Sequence, residues 1–202
     1  VVFEGGRELE LDAVSEVPRY YVYNAYGVCG IYSAPGTAVK EAYDTSGIVT
    51  NDRGVTVWLK GNRVSRNQIM AIKEESVTEQ KNSLAVCLDN ILRHAGITRN
   101  TEYDLAQGKT ATTILSENMT GVQVLDLSGC TLDAVLYYVN QDIPVLAILD
   151  DGEAVLVTGF NEFNVVIMEP STGKLYKKGM NDATAWFAEN GNHFITYMRT
   201  EN

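Results

Sequence analysis

Apolar and polar positions change rhythm several times along the chain, and each change marks an element. Tyr20-Tyr21-Val22-Tyr23 is aromatic and β-prone, and Gly27-Val28-Cys29-Gly30-Ile31-Tyr32 supplies a hairpin partner. Ala34-Pro35-Gly36-Thr37 opens a helix whose apolar positions Ala38, Ala42 and Tyr43 follow helical spacing, and Gly47 stops it. Ile48-Val49-Thr50 and Val55-Thr56-Val57-Trp58-Leu59 flank the turn signal Asn51-Asp52-Arg53-Gly54. The pattern predicts a ββαββ unit.

Further along, Ser83 to Ala95 reads as a buried helix. Leu84, Cys87, Leu88, Ile91 and Leu92 form its apolar stripe, and Gly96 suits the position after its end. Thr110 to Glu117 predicts a short helix, Val122 to Leu125 a strand, and Thr131 caps a helix with Leu132, Val135, Leu136 and Val139 turned inward. Pro144 to Leu149, Glu153 to Phe160, Asn164 to Met168 and Lys174 to Lys177 follow as strands. A helix over Asp182–Glu189 and a strand over His193–Met198 close the chain. Helices first and then an antiparallel run is an α+β order.

These readings divide the chain into an acidic leader (1–19), a small ββαββ domain (20–75) and a larger α+β domain (76–202). The leader carries five carboxylates against two arginines, and the opening Val1-Val2-Phe3 reads as a fragment or a processed form. The large domain has eight basic against sixteen acidic residues, most of a net charge of −10 over 202 residues. Such a surface repels nucleic acid and anionic lipid, and no apolar run reaches a membrane-spanning length. Lys60, Arg63 and Arg66 read as a solvated loop or as a docking patch for the acidic second half.

The chemistry-bearing residues are sparse. Cys29, Cys87 and Cys130 show no C-x-x-C spacing, and His94 and His193 are the only histidines, so no ordinary zinc site and no cofactor is expected. Cys87 lies on an apolar stripe, as a buried small hydrophobe does. Cys87 and His94 stand seven residues apart on one helix, roughly 10 Å, beyond proton transfer. His94 in a last helical turn suits the helix dipole. His193 reads as a surface residue and Cys29 as a strand residue. Cys130, just before a helix, has a lowered thiol pKa as its alternative to a structural role. Asp150-Asp151-Gly152 reads as a hairpin turn.

Three stretches carry a family resemblance. They are Gln80-Lys81-Asn82-Ser83-Leu84-Ala85-Val86-Cys87-Leu88 with Gly96-Ile97; the helix-then-Pro-Val segment Leu132 to Val145; and Gly152-Glu153-Ala154-Val155-Leu156-Val157-Thr158-Gly159-Phe160 followed by Val165 to Pro170 and Gly173. Together they resemble the papain-like superfamily, and most closely its peptidase C39-like group. The resemblance implies a nucleophilic Cys at the head of the first helix, a His on the first strand of the hairpin and an Asp before the Pro. Ser83, Glu153 and Glu169 occupy those places here; a shift of one helical turn would bring Glu79 to the first. Gln80 falls near the oxyanion Gln. A serine hydroxyl needs a well-placed base, and a Glu with an ordinary pKa of about 4.3 is a poor one.

The expectation is therefore a C39-like domain without its triad, a non-catalytic module holding a peptide or protein ligand, and an exported or cell-surface bacterial domain. The alternatives are an active cysteine peptidase or related thiol hydrolase using Cys87 or Ser83 with His193, and a structural spacer.

Overall fold

The computed structural model describes residues 17–61, 66, 72 and 82–200. Glu79, Gln80, Arg63 and residues 1–16 of the acidic leader lie outside this set. Tyr20–Asn24 (β1) pairs antiparallel with Gly27–Tyr32 (β2) and with Ile48–Asn51 (β3), and β3 pairs with Thr56–Leu59 (β4), giving a four-stranded sheet of order β2-β1-β3-β4. The turn between β3 and β4 is fixed by Asn51, whose Oδ1 accepts from the Arg53 and Val55 amides. Alternation decides which face is inside: Tyr20, Val22, Val49 and Val57 are buried, whereas Tyr23, Val28 and Ile48 are exposed. Pro35–Thr45 (α1) lies against β1, β2 and β3 with Ala38, Val39 and Ala42 buried. Proline at its first turn costs no hydrogen bond there.

The second sheet has six antiparallel strands. Val122–Asp126 (β5), Val145–Ile148 (β6), Ala154–Phe160 (β7), Asn164–Glu169 (β8), Lys174–Gly179 (β9) and His193–Arg199 (β10) take the order β5-β10-β6-β7-β8-β9. All seven residues of β7 are buried, as a central strand covered on both faces requires. Ser83–His94 (α2) packs on β7 and β6 and against Ala111–Asn118 (α4). Leu132–Val139 (α5) packs on β6, β7 and β10 and against Met180–Glu189 (α6). A short helix absent from the sequence reading, Glu102–Ala106 (α3), follows α2. Its five residues are too few for a helical period to show. Arg99 and Lys109 flank it and both pair with buried Asp104.

One apolar core runs from the small sheet through α5 into the large sheet. Polar groups pin the junction. Trp58 Nε1 donates to the Ala134 carbonyl at 3.0 Å, and Tyr138 Oη donates to the Val57 carbonyl at 2.9 Å. A Cβ on Gly36 would stand 3.0 Å from the Ser128 carbonyl oxygen, so this glycine lets α1 approach the loop before α5. Of the basic residues after β4, Arg66 is tied to the second half: its Nε donates to the Asn140 carbonyl, its Nη1 meets Asp142, and its backbone bridges Phe160.

Candidate functional site

The head of α2 is built by two neighbouring side chains with different tasks. Asn82 is the N-cap, its Oδ1 accepting from the Ala85 amide at 3.2 Å. Ser83 is the first helical residue and is buried. Its Oγ accepts from the Ala154 amide at 2.9 Å. The reason for that bond lies in the sheet. The Leu156–Met168 register, continued by two residues, sets Ala154 against Pro170, just past the end of β8. The ladder runs out there, and the hydroxyl of Ser83 supplies an acceptor that the strand lacks. Helix α2 is thereby tied to the first residue of β7.

Glu153 precedes Ala154. Its amide donates to Asp151 Oδ1 within the Asp150-Asp151-Gly152 turn, where Gly152 takes a positive φ of 85°. Its side chain is exposed and makes no hydrogen bond or ion pair with the described residues. Glu169 closes β8, and its Oε1 accepts from the Ser171 amide and hydroxyl. The same register sets Val155 against Glu169, so Glu153 and Glu169 point to one side of the sheet. Both carboxylates lie near enough to bear on Cys87, one helical turn beyond Ser83. Burial pushes that thiol well above its usual range, and Glu169 and then Glu153 push it further the same way. The head of α2, the turn before β7 and the end of β8 therefore meet at one end of the sheet. No hydrogen bond joins Ser83 to either carboxylate.

The imidazoles are elsewhere. His94 ends α2, eleven residues from Ser83 and so about 16 Å along the axis. Its Nε2 lies 2.7 Å from the Asp142 carbonyl, which can only accept, so Nε2 carries the hydrogen. His193 is half-exposed and stands 3.9 Å from Asp150 Oδ1. Register places His193 opposite Ile148, and Ile148 opposite Ala154. Two strand spacings, roughly 9–10 Å, thus separate His193 from the residue that holds Ser83. That is a spacing of backbones; the His193 imidazole itself lies toward the Asp150 carboxylate.

The remaining thiols are accounted for individually. Cys130 does not carry a lowered pKa: it is buried, its Sγ donates to the Gly36 carbonyl at 3.2 Å, and desolvation raises it to about 12. The helix head that could have acidified it is outweighed by loss of water. Cys29 is exposed on β2. Among the described residues no group of three His, Cys, Asp or Glu side chains could hold a metal ion, and no helix is long and apolar enough to cross a membrane.

No protein-family model matches the chain, and no curated protein matches it. A solved structure does: a protein of Bacillus anthracis described as a C39-like peptidase, at 12% identity with a TM-score of 0.57. The match covers 69% of this chain and 100% of that one. The chain thus has an α+β architecture with a peptidase-like fold over that span.

Proposed function

We propose that residues 76–202 form a C39-like module that has lost thiol catalysis and binds an extended peptide or protein segment, with residues 20–75 as a small ββαββ domain in front of it. One observation carries the reading. The residue at the head of α2 is a serine whose hydroxyl accepts from the Ala154 amide, while the imidazoles of His94 and His193 meet Asp142 and Asp150. A hydroxyl in that role is a structural tie. Nucleophilic attack needs a base to take its proton, and Glu153 and Glu169 stand where the resemblance implies that base and its partner. Binding survives loss of catalysis because it uses backbone edges and side-chain pockets. Strand β9, with Lys174, Lys177 and Lys178, ends the six-stranded sheet and offers such an edge.

The test restores the missing pair. In Ser83→Cys with Glu153→His, an imidazole stands beside a thiol if these positions correspond to a former dyad. Labelling of the new thiol by an electrophile at pH ~6 should then exceed that of Ser83→Cys alone, because an unassisted thiol has a pKa of about 8.5. Equal labelling in a folded double variant would remove the correspondence. Peptide cleavage by the unaltered protein would remove the non-catalytic reading.

A further inference from the structure

The C-terminal end of α2, away from Ser83, borders a cleft of about 490 Å³ between that helix, the turn after α4 and strands β5 and β10. No Asp or Glu lines it. Tyr197 and Arg199 stand two apart on β10 and so project to the same face. Arg199 is exposed, and with the described residues its guanidinium makes one hydrogen bond, from Nη1 to the Gln141 carbonyl at 3.4 Å. Its other N–H groups remain as donors. Tyr197 is the unusual member. A buried tyrosine hydroxyl ordinarily finds a partner, and Tyr138, also 1% exposed, donates to the Val57 carbonyl. The Tyr197 ring is just as buried, yet its hydroxyl makes no hydrogen bond with the described residues, and the residue lines the cleft. Its partner therefore has to come from the cleft. His94 Nδ1 also lacks a partner, but that atom is covered and the ring is held by the Asp142 carbonyl, so His94 supplies wall and not recognition.

We infer that this cleft binds an organic carboxylate bearing an apolar group, the carboxylate accepting from the Arg199 guanidinium and the Tyr197 hydroxyl and the apolar group lying on the side of Ile97 and Val122. A guanidinium fork and a carboxylate match in geometry and charge, and a hydroxyl beside the fork fills a further lone pair. Asp142, whose charge bears on Tyr197, is already paired with Arg66 at 3.2 Å. The net charge of −10 opposes an anion at long range, but that field is screened beyond about 8 Å at physiological salt. Selection is therefore made at contact, by the one arginine in a cleft without carboxylates. The volume suits a small molecule or the last residue of a chain. Free acids and a peptide C-terminus present the same chemistry. The site lies at the other end of α2 and does not depend on the reading of Ser83.

The experiment titrates the full chain, labelled with nitrogen-15, with N-acetyl-leucine, with acetyl-Ala-Ala-Leu carrying a free C-terminus, and with the C-terminal amide of each. Amide shifts of Gly121, Val122 and Arg199 report the cleft. At least one acid should move them saturably and both amides should leave them in place. Binding of the tripeptide acid alone identifies a peptide C-terminus as the ligand; equal binding of both acids identifies a small carboxylate. Arg199→Gln should weaken binding about tenfold or more, and Tyr197→Phe about threefold. Tyr197→Phe also separates recognition from structure: its urea midpoint should stay at the wild-type value, whereas Tyr138→Phe, which breaks a bond within the protein, should lower it. No saturable shift with either acid, equal shifts with acid and amide, or unchanged binding in Arg199→Gln would each overturn the inference. So would a fall in midpoint for Tyr197→Phe as large as that for Tyr138→Phe, since the hydroxyl would then have its partner inside the protein.

Discussion

Replacing Ser83 by alanine removes one atom and strands one buried donor. The Ala154 amide sits where β8 has ended, so no backbone acceptor takes over from Oγ. A buried donor left without a partner costs about 1–3 kcal/mol. Alanine returns a few tenths of a kcal/mol through its better helix propensity. The expected net loss is about 1–2.5 kcal/mol, or roughly 2–10 °C in Tm for a chain of this length. Ser83→Cys should fall between wild type and Ser83→Ala, because sulfur accepts weakly. Urea unfolding gives the loss, and hydrogen exchange of the Ala154 amide gives its origin. That amide should exchange faster in Ser83→Ala relative to Leu156 in the same strand. A loss below about 0.5 kcal/mol, within the range of ordinary surface substitutions, with unchanged Ala154 exchange, would refute a tie between α2 and β7.

Other perturbations test other joints. Asn82→Ala removes the N-cap of α2 and should cost about 1 kcal/mol in urea unfolding. Tyr138→Phe leaves the buried Val57 carbonyl without its donor, and should cost about 1–3 kcal/mol while thermal unfolding stays a single transition. Gly36→Ala drives a Cβ against the Ser128 carbonyl and should destabilise by about 1–3 kcal/mol, measured the same way. Cys130 gives a pH signature. Its folded thiol is raised from 9.0 to about 12, so folding favours the protonated form. The stability this contributes is fully present below pH 9 and is lost as the pH rises towards 12. The fall in urea midpoint between pH 8 and pH 10.5 should therefore be shallower in Cys130→Ala than in wild type.

The strand and helix order was legible because both periods are strong here. The aromatic, β-prone run Tyr20–Tyr23 and the stripe through Cys87, Leu88, Ile91 and Leu92 each have one reading. The meeting of Ser83 with the start of β7 was legible only through the family resemblance, since seventy-one residues separate Ser83 from Ala154. What Ser83 does there was not legible. Its role follows from where β8 stops, and strand ends depend on pairing partners. Cys130 misled for a related reason: a helix head is visible in sequence, whereas the burial that overrides it, like the bond to Gly36, arises from segments far apart in the chain.

The reactivity of each cysteine decides whether this peptidase-like fold holds an activated thiol. Rates of alkylation of each cysteine in the native protein, resolved by peptide mass and followed from pH 6 to pH 9, test it directly. Cys29 should react at the rate of an ordinary exposed thiol, while Cys87 and Cys130 should react only after unfolding, since both are buried with raised pKa values. Fast labelling of Cys87 near pH ~6, well below the ordinary thiol pKa of about 8.5, and its loss in His193→Ala, would instead reveal a working thiol–imidazole pair.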